Sequence, residues 1–468
     1  MRQHSSSNSI FTSQFRPAVF GFGLLLLSAA SPAAGAPKLN FTGNSLDVIE
    51  ITPEKNTGLD RIYVLYDLNN VRISYTAEGS SRPRWMRYSN LGGGYAEEVR
   101  GVVYNGSEST LDNPEGDMGY IIEDGDKTYY FWVVNYLPHR LSLKGLDASE
   151  YDCDASILSP QGEGGPINFY TISGQQRVLS RDLKISYSTL EWDDVQKLYR
   201  QVDATRTVEY LQDQISVRPP ALCSTDFTLS GDRFLEHWRW GQSVTSSVVA
   251  PSAVEVHTEA IQESASSSDD TSVGSNLIKG EDALLGGSAP ATIEFLAYPS
   301  DGVIHHEWQM ARDENFENVD YRFNEQDLTY TFTEEGTVYL RYIGANADGS
   351  CEAYGDTYTV AIGASDLQCP NAFSPNGDGV NDEWKVAYRS LLDFKCWIFD
   401  RYGNQIIYFE DPNQGWDGTR GGKPVKSGVY YYVIQATGAD GKKYKKSGDI
   451  NILLQKKDSS SSSSASGE

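Results

Sequence analysis

The chain has 468 residues, length for roughly three or four domains. Apolar residues at 39% and charged residues at 22% describe a folded chain and exclude a disordered one. A formal charge of -25 excludes a protein that coats nucleic acid, which needs clustered Lys and Arg, and an acidic surface is repelled by anionic membranes. With 29 Tyr against 4 Met, the balance favours strands, because rings fit a pleated surface.

Arg2 and Arg16 precede an apolar run at 18–30, and the small residues Ala33, Ala34, Gly35 and Ala36 follow it. This is the layout of a secretory signal peptide over 1–36. The run is about 13 residues, short of the roughly 20 that a spanning helix needs. No later stretch is long and apolar enough to cross as a helix, so no integral membrane span is expected.

Residues 37–220 read as β-rich, one large sandwich or two small ones. Ile62-Tyr-Val-Leu-Tyr66, a polar turn and Val71-Arg-Ile-Ser-Tyr75 are strand, turn, strand. Asn105-Gly106 and Asp124-Gly125 are hairpin signals. Strands fit 167–172 and 183–187, and a weak helical stretch starts near Glu191. Residues 221–287 carry short strands near 226–229 and 244–249, then a Ser/Asp-rich linker at 263–272. Residues 288–365 read as an immunoglobulin-like domain. Its strands recur about every ten residues, and Ile304-His-His-Glu-Trp308 supplies the central core Trp.

The text changes at Cys369. From there onward lie 13 of the 39 Lys and Arg but only 12 of the 64 Asp and Glu, so the acidic excess is all upstream. Four motifs follow in order: Pro370-Asn-Ala-Phe-Ser-Pro-Asn-Gly-Asp-Gly-Val-Asn-Asp-Glu-Trp384, Phe394-Lys-Cys-Trp-Ile-Phe-Asp-Arg-Tyr-Gly403, Gly415-Trp-Asp-Gly418 and Ser427-Gly-Val-Tyr-Tyr-Tyr-Val-Ile434. This segment, 366–456, resembles the gliding-motility-associated C-terminal domain, the type B sorting signal of the type IX secretion system of Bacteroidota. The resemblance implies export through the periplasm to the cell surface or the medium, outer-membrane association, the type IX translocon as partner, and docking on a PorP/SprF-type outer-membrane protein. The residues that match its motifs are Pro370, Asn371, Phe373, Pro375, Asn376, Gly377, Asp378, Gly379, Asn381, Asp382, Gly403, Trp416, Asp417, Gly418, Gly428 and Tyr430. The Ser-rich tail at 457–468 departs from the family pattern. Upstream, Asp226-Phe-Thr-Leu-Ser-Gly-Asp232, Gly287-Ser-Ala-Pro290 and Asp366-Leu-Gln-Cys-Pro370 are similar to PorA-type cargo of the same system. That similarity implies a non-enzymatic surface protein tied to the secretion apparatus or to envelope signalling.

The fold class expected is therefore all-β: immunoglobulin-like sandwiches ending in a small β-sandwich sorting domain. Lys442, Lys443, Lys445 and Lys446 form a basic group in the closing hairpin and are a candidate contact for the partner, with a solvated turn as the alternative. The free edge of that hairpin, 429–454, is a second candidate contact.

Other chemistry is weighed against packing. No cofactor is expected. Asn376, Asp378 and Asp382, with Asn381 and Glu383 beside them, collect oxygens as a calcium loop does, but without EF-hand spacing; Asx hydrogen bonds in a turn explain them as well. His305 and His306 face opposite sides of a strand and cannot chelate together. Trp85, Tyr88, Tyr95, Tyr129, Tyr130 and Trp132 are either a carbohydrate platform or cross-strand core pairs. Cys153, Cys223, Cys351, Cys369 and Cys396 contain no C-x-x-C pair; one or two disulfides are expected, with Cys396 unpaired in a sheet core. No nucleophile elbow, P-loop or dinucleotide fingerprint is present, so no enzyme is expected. A surface adhesin and a hydrolase with an unrecognised carboxylate pair are the alternatives.

Overall fold

The computed structural model describes residues 38–78, 82–92, 94–149, 152–262 and 285–453. The expected leader, the Ser/Asp run and the Ser-rich tail lie outside these. Strand accounts for 54% of the chain and there is almost no helix. The all-β expectation holds, and its basis is the alternation of aromatic and polar residues between glycine turns. At the two hairpins anticipated from Asn-Gly and Asp-Gly, Gly106 and Gly125 adopt φ of 61° and 60°, which a side chain resists.

The chain divides into two compact units. The first comprises residues 1–138 and 168–178. Its six-stranded sheet runs in the order Ile49–Ile51, Arg61–Leu65, Lys127–Asn135, Met118–Asp124, Arg84–Tyr88, Glu97–Glu98. A four-stranded sheet, Leu39–Thr42, Arg72–Thr76, Glu108–Asp112, Val103–Asn105, packs on it. The turn at 66–71 therefore carries the chain from one sheet to the other. Tyr63, Ile73, Trp85, Tyr120 and Phe131 fill the space between the sheets. All five residues of Arg61–Leu65 are buried, so the middle of the six-stranded sheet is covered on both faces. On the second face the Trp132 ring lies 6.0 Å from Tyr170, and the Ile172 N–H donates to the Thr57 carbonyl at 3.0 Å.

This packing removes the carbohydrate platform. Trp85, Tyr88, Tyr129 and Trp132 are all buried, and of the six aromatics Tyr95 alone stands fully in solvent. Rings at period two fell on two buried faces rather than on one exposed face.

The second unit holds 139–167 and 179–468. Its first sandwich sets Ser142–Ser149, Ser156–Glu163 and Ile215–Val217 beside the sheet Leu198–Val208, Leu183–Asp193, Thr228–Gly231, Gln242–Thr245. The helix expected near Glu191 is absent. Leu183–Asp193 and Leu198–Val208 instead pair along eleven residues each, and the Asp193 carboxylate fixes their turn by accepting the Val195 and Gln196 N–H groups at 3.0 Å. The strands anticipated in 221–249 complete this sandwich rather than forming a separate segment. Arg181 and Asp232 pair at 2.6 Å with both side chains fully buried. Such a pair is tolerated when its remaining donors are satisfied, and Arg181 also donates to the Gly165 and His139 carbonyls.

The immunoglobulin-like sandwich begins earlier than expected, at Val256–Gln262, which pairs with Ala291–Pro299. The polar side chains of Val256–Gln262 hid it from pattern reading. Trp308 is fully buried at the core and donates to the Gln326 carbonyl at 2.9 Å. His306 meets the Tyr342 hydroxyl while His305 points to the Ala347 carbonyl, on opposite faces as anticipated.

Two ties join these sandwiches within the second unit. Cys153 and Cys351 form a disulfide across 198 residues, and Trp192 stacks on His257 at 4.2 Å and 7°. Cys396 is a free thiol in a sheet core, alongside free Cys223 and Cys369.

Candidate functional site

The last module is built on a five-stranded sheet in the order Ala372–Phe373, Lys443–Ile452, Gly428–Gly438, Leu391–Phe399, Gln405–Phe409. The run 428–438 alternates strictly, so Tyr430, Tyr432, Ile434 and Ala436 turn inward and Val429, Tyr431, Val433 and Gln435 turn outward. The inward residues join Leu367, Phe373, Trp384, Phe394, Cys396, Ile398 and Trp416 in one core. Burial pushes the Cys396 thiol well up and the Tyr432 hydroxyl up to about 12.

The four motifs converge on this core. Trp384 and Trp416, both fully buried, exchange backbone hydrogen bonds at 2.9 and 3.0 Å. The Trp384 indole donates to the Pro370 carbonyl at 2.7 Å, and the Trp416 indole to the Thr419 carbonyl at 2.8 Å. Phe373, Trp416 and Tyr430 form a chain of rings with centroids 5.4 and 5.1 Å apart. Asn371 accepts the Asn451 N–H and so closes the sheet edge. Asp417 accepts the Thr419 N–H at 2.9 Å. Gly418 has φ +74°, and a Cβ there would press on Pro375 at 3.1 Å, so the Trp-Asp-Gly turn demands glycine twice over.

Gly403 lies apart from this group. It closes a turn whose Asp400 carboxylate accepts the Tyr402 and Asn404 N–H groups. Gly428 begins the strand opposite Ile452. The pattern residues are thus largely the parts that make the module fold.

The Gly-rich loop is organised by Asp382. Its carboxylate accepts N–H groups from Asn376 at 2.9 Å, Gly377 at 2.7 Å and Gly379 at 2.7 Å. These donors, Gly377 first, hold the Asp382 carboxyl below its ordinary range. Asp378 accepts from Val380 N–H and from the Asn376 amide, and Asn376 accepts the Asp378 N–H. Asn381, at φ 51°, gives its carbonyl to Ser374 N–H. Each of the three side chains considered for calcium already accepts an N–H, which is the geometry of nested Asx turns.

The four lysines do not form one patch. Lys443 and Lys445 point outward, whereas Lys446 lies on the inner side and donates to the Leu367 carbonyl. Lys442 sits over the Tyr444 ring at 4.7 Å. The hairpin edge is partly taken as well, since Lys443–Ile452 pairs with Ala372–Phe373 at its far end.

Pattern reading missed the residues that seat the module. Ser365, just before the expected start at 366, meets Tyr444 and Asp440. Ser390 is fully buried and donates to the Gly363 carbonyl at 2.6 Å, while its carbonyl accepts the Ala439 N–H and its N–H meets Ser288. Polar residues without period carry no signal for such a junction.

Two family models match parts of the chain. Residues 146–246 match the fibronectin type III domain family. No curated protein matches the chain. Among solved structures, three N-terminal domains of the bacteriophage RB49 highly immunogenic outer capsid protein are similar at 10% identity and a TM-score of 0.22, covering 68% of this chain and 99% of that one. A Ca2+-stabilized adhesin that helps an Antarctic bacterium bind ice is similar at 11% identity and a TM-score of 0.18, covering 91% of this chain and 100% of that one. At these scores neither carries an argument. Residues 367–452 match the CHU_C type IX secretion signal domain, and the chain therefore carries a type IX sorting domain as its last module.

Proposed function

We propose that the chain is a non-enzymatic surface protein whose upstream sandwiches serve surface structure or envelope signalling. Its last module is the export signal, docked during transit on a PorP/SprF-type outer-membrane protein. The observation that carries this is the convergence of four ordered motifs on one aromatic core. The segments similar to PorA-type cargo fall in three successive modules of the second unit.

The non-enzymatic reading is supported by the dispersal of the candidate groups. His305 and His306 diverge, four of the six aromatics considered in 85–132 are buried, and many carboxylates are engaged, as Glu97 and Glu115 are on Arg87. Among the described residues no group of three His, Cys, Asp or Glu is placed to hold a metal. The reading carries no resident cofactor.

Deleting 366–468 tests the export role. The expected outcome is retention in the periplasm. Cleavage of the truncated protein by protease added to intact cells would contradict it. Turnover in a hydrolase screen, lost on one carboxylate substitution, would contradict the non-enzymatic part.

A further inference from the structure

We propose that the outward face of the last module's sheet is the surface by which a protein of the type IX machinery holds this chain. The inference rests on the export reading above and assigns it a place. The sheet is apolar on its inner side and in the middle of its outer side. Its inner side is filled by the aromatic core. Its outer side carries a second apolar group, arranged by the strand register. Trp397 stands opposite both Tyr408 and Val433, and Phe399 stands opposite Tyr431. The Trp397 and Tyr408 rings lie 5.2 Å apart. Tyr431 is 46% exposed, Val429 43%, and Val433 and Tyr408 38% each.

Large side chains in adjacent rows of one sheet, with Tyr431, Val429, Val433 and Tyr408 exposed and Trp397 and Phe399 half-buried between them, are what a binding hot spot requires. An export domain has no folding reason to keep them, because strands with one solvated face ordinarily turn polar residues outward.

Charge completes the description of the partner. Lys395 faces Gln435, which faces Lys445, and Lys443 lies one step further along the same face. Asp393 stands in the same row as Lys443 and Glu410 lies 3.9 Å from Lys395, so this end carries both signs, with Lys443 and Lys445 as its exposed cations. Asp449 stands opposite Tyr431 at the other end. The complementary surface is a protein patch with an apolar centre, carboxylates that meet Lys443 and Lys445, and a cation that meets Asp449. A lipid surface fits less well, since Asp449 would face anionic headgroups. The basic group proposed from the sequence thus becomes a rim: Lys443 and Lys445 belong to it, while Lys442 and Lys446 are spent on Tyr444 and on Leu367.

The experiment uses the full chain in its host. Trp397→Ser with Tyr431→Ser is compared with Lys443→Glu with Lys445→Glu, with the 366–468 deletion and with wild type. The surface fraction is read by protease accessibility, and the melting curve of each purified chain confirms folding. The face variant is expected to fold and to lose surface signal roughly tenfold, the scale of one truncated hot-spot aromatic. The rim variant is expected to lose less. If the deletion stays in the periplasm while the folded face variant is exported normally, the face is overturned and the export reading stands. If the deletion is exported, the export reading itself fails. A Tyr431→Phe variant, which keeps the ring, is expected to restore export when paired with wild-type Trp397. Two results would assign the face to another occupant and overturn the proposal: a dimer in solution that the face variant dissolves, or binding to anionic vesicles that it abolishes.

Discussion

Two sheets in this molecule carry large apolar side chains on both faces, and the chain treats them differently. In the first unit the strands Arg61–Leu65 and Lys127–Asn135 bury one face against a partner sheet and the other against residues 168–178. In the last module one face is filled by Trp384, Trp416 and their neighbours, while Tyr431, Val433 and Tyr408 remain open. Apolar pattern alone does not separate the cases. Both read as strands rich in Tyr, Trp and Val. What separates them is whether the chain supplies a second cover. A structural sheet carries its own cover, and an interaction sheet waits for one.

Substitutions at matched positions sharpen the contrast. The largest effects should come from buried rings on covered faces. Trp132→Ala in the first unit and Trp416→Ala in the last module should each cost about 3–5 kcal/mol, the range for large aromatics in cores. Chemical denaturation followed by tryptophan fluorescence checks this. A loss below about 1 kcal/mol at Trp132 would mean that its face is not covered.

Tyr431→Ser on the open face should change stability by no more than about 0.5 kcal/mol, as surface substitutions do. A loss of several kcal/mol would show that Tyr431 packs within the protein, and the comparison would break.

The Gly-rich loop gives a pH-dependent case. The Asp382 carboxyl is held below its ordinary range in the folded loop. Its contribution is therefore fully present above the unfolded carboxylate pKa of roughly 3.9 and is lost as pH falls through the lower folded value. Loop protection, read by amide exchange at Gly377 and Gly379, should fade in that acid window. Asp382→Asn should remove the pH dependence. An unchanged profile would mean that other groups hold the loop.

The smallest effect concerns the basic rim. Lys443→Glu with Lys445→Glu should slow association with the partner more than it speeds dissociation, and added salt should shrink the difference. Surface plasmon resonance at two salt concentrations measures it. Salt-independent association would remove the electrostatic rim from the account.

Much of this architecture was legible in the sequence. Asn-Gly and Asp-Gly marked hairpins because only glycine accepts their φ cheaply, and Trp308 marked the immunoglobulin-like core. The four motifs of the last module were readable because their roles depend on residue type: a glycine at φ +74° beside Pro375, and indoles that reach the Pro370 and Thr419 carbonyls. Other features depended on distant partners. The hairpin at 183–208 looked helical at Glu191 because its pairing partner lies beyond the turn. The aromatics of 85–132 could not be assigned to inside or outside, since residues 168–178 supply their second cover. The lysine group looked like one patch until period two divided it. Ser365 and Ser390 gave no signal, as their value lies in partners far along the chain.

The most direct test of the open-face account is site-specific photocrosslinking in the exporting host. A benzophenone side chain replaces Tyr431 or Tyr408 on the open face or, as a control, the exposed Tyr402 of the 400–404 turn. The account predicts that positions 431 and 408 give a crosslink to an outer-membrane protein of the type IX machinery and that 402 does not. Crosslinks at 402 with none at 431 and 408, in protein that still reaches the surface, would contradict it.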